Sequence, residues 1–310
     1  MAEAPSTHIP VLLDETITAL QPRAGGRYLD GTVGLGGHAE RLLERSGPDG
    51  RLLGLDRDAD ALQVARERLA RFGDRAVLAH ASYLDAAAIA GRERMTPLSG
   101  VLLDLGVSSL QMDRPERGFS FRAEGPLDMR FDPASADEPA SVLVNWAEEE
   151  ELAGVLWRFG EERASRRIAR AVVRARPVTT TTQLAAIVER VAGRPGLRTS
   201  PATRTFQALR IAVNRELEGL SRALQVTHDL LEAGGRLAVI TFHSLEDRIV
   251  KQYIQRESRE CICPPGLPEC RCGHVRMLAP LTRSPITPTD GEIGRNPRSR
   301  SAKLRVAVRL

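Results

Sequence analysis

The chain has 310 residues, of which 42% are hydrophobic and 27% charged, with a formal net charge of +4. That balance excludes wholesale disorder and fibrous repeats, and the length suits one large or two modest domains. No run approaches the ~18 apolar residues of a membrane span, and MAEAPSTHIP is not a basic-then-apolar leader. With all four cysteines confined between positions 261 and 272, a soluble cytoplasmic protein is expected.

From Arg27 to about Val107, short apolar runs alternate with helix-period stretches. The runs are YLD (28–30), RLLGLD (51–56), AVLAH (76–80) and GVLLDLGV (100–107); HAERLLERS (38–46), DADALQVARERLARF (58–72) and SYLDAAAIAGR (82–92) lie between them. Four strands with helical crossovers predict a parallel sheet covered on both faces. Residues 112–140 carry Pro115, Pro126, Pro133 and Pro139 with Gly118 and Gly125, the composition of an ordered loop or lid. The chain then reads helical from Ser141 to about Ala192, and a further helix over roughly 201–233 leads into the apolar strand GGRLAVITFHS (234–244). KLRVAVRL (303–310) alternates with period two and reads as a last strand. The fold expected is α/β: residues 1–111 and 216–310 form the sheet domain, and 112–215 form an inserted all-helical domain.

The sharpest local signal is Asp30-Gly31-Thr32-Val33-Gly34-Leu35-Gly36-Gly37-His38, between a strand and a helix. Glycines let the backbone turn and let a ligand approach main-chain amides. Asp56 ends the second strand, where a carboxylate can accept from both hydroxyls of a ribose. The pattern departs from G-x-G-x-x-G, and an acid ends the strand just before the loop. Dinucleotide sites face a pyrophosphate with a helix N-terminus. S-adenosylmethionine has no phosphate, and its ammonium and sulfonium are cations that an acid favours. The loop therefore favours that cofactor over a nicotinamide one. A third acid, Asp104, ends the fourth strand; a turn-capping role is its structural alternative.

Seven arginines fall within 158–176, and Arg163, Arg166, Arg167, Arg170 and Arg174 share one arc of a helix, which suits phosphate contacts. The alternative is a solvated face paired with Glu161 and Glu162. Arg204, Arg210, Arg295, Arg298, Arg300 and Lys303 could extend the track. Cys261-x-Cys263 and Cys270-x-Cys272, with His274 nearby, could hold a structural zinc or stay as reduced thiols.

HIPVLLDE (8–15), DGTVGLGGH (30–38), LDLGVSS (103–109), RGFSF (117–121), GPLDMR (125–130), ATRTFQALRIAVNRELE (202–218) and FHSLEDRIVK (242–251) follow one another in order. In these blocks the chain resembles the RsmH (MraW) family, methyltransferases that modify N4 of a cytidine in small-subunit ribosomal RNA. The resemblance implies a class I (Rossmann-like) S-adenosylmethionine-dependent methyltransferase sheet with an inserted helical substrate domain. Its implied target is a cytidine in the decoding region of 16S rRNA. By motif position, Gly36, Gly37 and His38 would line the cofactor loop, Asp56 would hold the ribose and Tyr83 would flank the adenine. Asp104 and Gln111 would complete the pocket. Partners expected are small-subunit rRNA and no membrane, with a homodimer admitted as the assembly.

The exocyclic amine of cytosine is a weak nucleophile, so acceleration rests on positioning and hydrogen bonding. Asp104 and His243, at the ends of neighbouring strands, are the catalytic candidates; a packed His before a capping box starting at Ser244 is the rival reading for His243. Phe119 and Phe121 could stack a flipped base or belong to the lid core. Methylation of another RNA or of a protein amine, and a non-catalytic RNA-binding assembly factor, are the alternative functions.

Overall fold

In the computed structural model, residues 9–193, 196, 200–264 and 269–310 are described. His8 of the first sequence block and residues 265–268 of the cysteine loop lie outside them. The apolar runs form strands β1 (Arg27–Asp30), β2 (Arg51–Asp56), β3 (Ala76–His80), β4 (Leu98–Asp104) and β5 (Leu231–Thr241), with β6 (Leu278–Pro280) and β7 (Lys303–Arg309) completing a sheet of order β3-β2-β1-β4-β5-β7-β6. The first five run parallel to one another, and β7 runs antiparallel between β5 and β6. Successive side chains enter opposite cores. Leu29, Leu53, Val101, Leu103 and Val239 pack on one face, and Tyr28, Leu52, Leu102, Ala238 and Ile240 on the other. Two buried faces are why these strands read as unbroken apolar runs rather than as alternation.

Around the sheet run α1 (Leu13–Leu20), α2 (Gly37–Arg45), α3 (Ala59–Leu69) and α4 (Ala86–Arg92). The helical unit holds α5 (Ser109–Asp113), α6 (Ala140–Trp146), α7 (Glu149–Gly160), α8 (Ser165–Ala175), α9 (Thr181–Ala192) and α10 (Ala202–Asn214). The chain then runs through α11 (Glu216–Asp229), α12 (Ser244–Glu257) and α13 (Asp290–Arg295). Among the described residues no helix is long and apolar enough to cross a membrane.

The chain divides into two compact units, Met1–Gly106 with Glu218–Leu310, and Val107–Leu217. The helical unit thus begins before the sequence boundary at 112, because α5 is held by its own cap: Ser108 and Gln111 exchange side-chain and backbone hydrogen bonds. Its core gathers Leu152, Leu156, Ile168, Val172, Leu184 and Leu209. The single helix expected over 201–233 is broken at Arg215, whose left-handed backbone (φ 51°, ψ 39°) ends α10 and redirects the chain into α11. A non-glycine residue in that conformation leaves no mark in the sequence pattern. Phe119 stacks on Phe131 with centroids 5.8 Å apart, and Phe121 meets Phe206 edge-on at 5.0 Å. Both belong to this core or pack against it, so the lid-core reading holds for them rather than base stacking.

Candidate active site

Asp30, Asp56 and Asp104 end β1, β2 and β4, which places them along one carboxyl edge of the sheet. Open α/β sheets bind ligands at this edge. The glycine loop is stitched across it. Gly31 N donates to Leu102 O (2.9 Å), Val33 N to Leu55 O (2.8 Å), and Asp104 N to Thr32 Oγ1 (2.6 Å). Gly31 cannot carry a side chain, since a Cβ there would stand 2.6 Å from Leu103 Cδ2 and 3.1 Å from Tyr83 Cβ. That contact also sets the start of the short Tyr83–Asp85 turn against the loop. Gly36, at φ +80°, is the left-handed cap from which α2 departs.

Asp56 holds this loop from β2. Its Oδ2 accepts from Gly34 N at 2.8 Å and its Oδ1 from Asp58 N at 2.9 Å. A carboxylate has about four acceptor positions, and Arg57 N is a third backbone donor to it, so capacity for about one ribose hydroxyl remains. Desolvation pushes Asp56 up to about 6, against the amides of Asp58, Gly34 and Arg57, which favour its ionised form. Asp30, almost fully buried, is pushed up to about 7 by desolvation and by the charge of Asp56, with Thr32 opposing. Asp104 is raised well above the carboxylate range by desolvation and by the charges of Asp30 and Glu246. The three acids therefore repel one another around a partly dry edge.

His38 lies beneath Asp104. Its Nε2 is 3.0 Å from Val11 O and its Nδ1 is 3.6 Å from Asp104 Oδ2. The other oxygen, Asp104 Oδ1, is buried with no hydrogen-bond partner among the described residues. Crowded carboxylates and an orphaned acceptor are the donor set a cationic ligand requires. The residues at this edge thus fit S-adenosylmethionine: the amides and glycines of 31–37 offer a close backbone, Asp56 a ribose acceptor, and Asp30 and Asp104 negative charge.

His243 is the N-cap of α12, one residue before the Ser244 start expected from sequence. Its Nδ1 accepts from Glu246 N at 3.4 Å, and its Nε2 is 3.1 Å from Glu246 Oε1. Glu246 Oε2 in turn accepts from Phe242 N at 2.9 Å. Both ring nitrogens thus face Glu246, which gives His243 the capping role. Gln111 lies in the helical unit, buried in the α5 cap. The sequence did not expose Thr32, Val11 or Glu246 as site partners; only Glu246, three residues after a cap-forming position, carried a readable signal.

In the helical unit, α7 and α8 border a groove of about 840 Å³ lined by Trp157, Arg163, Arg166, Arg167 and Arg170. Arg163 precedes α8, while the other three project from it opposite buried Ile168, Ala169 and Val172. Trp157 is 59% exposed, an uncommon setting for a large apolar ring. Arg170 pairs with Glu149 at 3.2 Å. Glu162 turns inward, accepting from Ala164 N at 2.8 Å. Arg210 is drawn out of the proposed track by a two-pronged bond to Glu216 at 2.8 and 2.9 Å. Lys303 is likewise occupied with Asp247 at 3.3 Å.

The chain is 54% identical to ribosomal RNA small subunit methyltransferase H of Nitratidesulfovibrio vulgaris (strain Miyazaki F), over all of this chain and 87% of that protein. It is 53% identical to the protein of the same name from Thermomicrobium roseum, over 98% of this chain and 94% of that one. The corresponding protein of Dehalococcoides mccartyi is 52% identical, over 98% and 86%. A family model described as the MraW methylase family matches residues 5–310, and the chain belongs to that family.

Proposed function

We propose that this chain transfers a methyl group from S-adenosylmethionine to N4 of a cytidine in the decoding region of 16S rRNA. The observation that carries the reading is the extent of the match. Relatives named as small-subunit rRNA methyltransferases share half of all positions over 98% or more of the chain. The anionic character of the acid-lined edge supports a cationic cofactor.

When bound, the cofactor supplies a methyl group on a positively charged sulfur that leaves as a neutral thioether. The protein's part is to hold and orient. Asp104 Oδ1, buried and without a partner, accepts a hydrogen bond from the target amine and turns its lone pair out of conjugation. His38 fixes the other oxygen of that carboxylate. As the amine becomes cationic, Asp104 with His38 behind it receives the released proton. His243 acts as a positioning residue: it holds Glu246, whose charge raises the proton affinity of Asp104. In the helical unit, Arg163, Arg166 and Arg167 give phosphate contacts and Trp157 a stacking face for an unpaired base.

Purified protein with labelled S-adenosylmethionine, offered isolated small subunits, free 16S rRNA and ribosomal proteins in separate reactions, tests the reading. Nucleoside mass spectrometry should find N4-methylcytidine from an RNA substrate. Label in protein alone, or in another nucleoside, would overturn it.

A further inference from the structure

Methyl transfer makes no use of the segment between α12 and β6. Among its described residues, none from 258 to 277 is buried. It has no core to fix its path, yet it brings four cysteines together. Cys263 and Cys270 sulfurs are 4.0 Å apart, Cys270 and Cys272 3.5 Å, and Cys261 and Cys272 3.9 Å, with all four within 4.8 Å of one another. We propose that Cys261, Cys263, Cys270 and Cys272 bind one structural Zn²⁺ as a tetrahedral tetrathiolate.

Geometry favours this over a cluster of resting thiols. Zinc–sulfur bonds of about 2.3 Å in a tetrahedron set neighbouring sulfurs about 3.8 Å apart, the spacing found here. Burial does not account for the gathering, since Cys261 and Cys270 are exposed. The backbone also turns donors onto the sulfurs: Cys263 N points to Cys261 Sγ at 3.4 Å, Arg271 N to Cys263 Sγ at 3.4 Å and Ile262 N to Cys272 Sγ at 3.5 Å. Amide donors of this kind stabilise thiolates and orient metal ligands. His274 is directed elsewhere, with Nε2 4.0 Å from Glu257 Oε2, so sulfur supplies all four ligands. Four soft thiolates select zinc among the common divalent ions. The metal then supplies the crosslink that the loop's own packing lacks.

The test uses the full chain purified under reducing conditions without chelator. Elemental analysis should find one zinc per chain, and a chromogenic chelator should extract it only slowly. Cobalt added to the metal-free protein should give the visible bands of a tetrahedral tetrathiolate. Competition titration should place the zinc dissociation constant at or below about 10 nM. Cys261→Ser with Cys272→Ser should cut bound zinc at least tenfold and speed proteolytic cleavage between α12 and β6. Should that variant not fold, the titration of unmutated metal-free protein decides alone. Binding weaker than micromolar, or two disulfides in the reduced preparation, would overturn the proposal whatever the outcome of the methylation assay.

Discussion

His38 Nδ1 and Asp104 Oδ2 face each other at 3.6 Å, while the opposite ring nitrogen meets Val11 O at 3.0 Å. A carbonyl only accepts, so Nε2 carries a hydrogen, and a neutral ring then points a lone pair at the carboxylate. A proton bound by this pair can sit on Asp104, whose affinity for it is raised by burial and by the charges of Asp30 and Glu246, or on the ring. The orphaned Oδ1 is thereby an acceptor whose strength depends on where that proton sits.

Cofactor affinity should depend on pH in a direction set by these acids. Asp30 titrates near 7 and Asp56 near 6 in the unliganded protein. A cationic ligand favours their ionised forms, so binding should tighten by about tenfold or more between pH 5.5 and pH 8 and should release protons. Calorimetry in two buffers of different ionisation enthalpy measures both effects. A flat profile with no proton release would remove the electrostatic account of this edge.

The same shift has an opposite consequence for the unliganded fold. A carboxyl held above its unfolded pKa lends stability below about pH 4, which is lost as pH rises through about 7. Asp30→Asn should therefore stabilise the unliganded protein at pH 8, by about 2 kcal/mol, while weakening cofactor binding. Denaturant melts at pH 5 and pH 8 check the sign; a destabilised variant at pH 8 contradicts it.

Asp56→Asn keeps an acceptor for Gly34 N or Asp58 N but removes the charge and one acceptor oxygen. Cofactor affinity should fall at least about tenfold, the worth of one charged hydrogen bond, and the melting midpoint should drop because one buried amide loses its acceptor. Equal affinity in mutant and parent would withdraw the ribose role from Asp56.

For His243, replacement by alanine should cost about 1 kcal/mol through loss of the α12 cap, and asparagine, a strong cap, should restore it. If His243 acts through Glu246 alone, the asparagine variant also regains most of the turnover. A stable His243→Asn enzyme slowed a hundredfold or more would mark the ring as a direct participant.

Arg166→Ala with Arg167→Ala should weaken rRNA binding and lower the slope of log K against log salt by about 1.5. Trp157→Ala should cost about 1–3 kcal/mol in RNA affinity with the salt slope unchanged. Neither should alter cofactor affinity. Filter binding across a salt series separates the two; an unaltered slope in the arginine variant returns those side chains to a solvated role.

Strands β1, β2 and β4 were legible because each is a short apolar run ending in an acid, and the unbroken apolar run follows from burial on two faces. The arginine stripe was legible through its helical spacing, but Arg163 lies before α8, and Arg210 is held by Glu216. β6, at three residues, is too short to leave a pattern, and Arg215 breaks a helix without the glycine that usually announces such a turn. The contact between His38 and Asp104 could not be read at all. It joins residues distant in sequence, and its chemistry arises from desolvation and from charges that only the folded sheet brings near.

The interruption between β4 and β5 bears on how the protein is made. These strands are hydrogen-bonded neighbours, yet more than a hundred residues of helical unit separate them in the chain. Joining them through an unstructured tether would carry a closure entropy that grows only with the logarithm of its length. Because the helices have their own core, they can condense as they leave the ribosome, before β5 has been made. In a nascent chain, completion of the central sheet would then wait on the helices, so a lesion confined to that core would delay maturation of the whole enzyme.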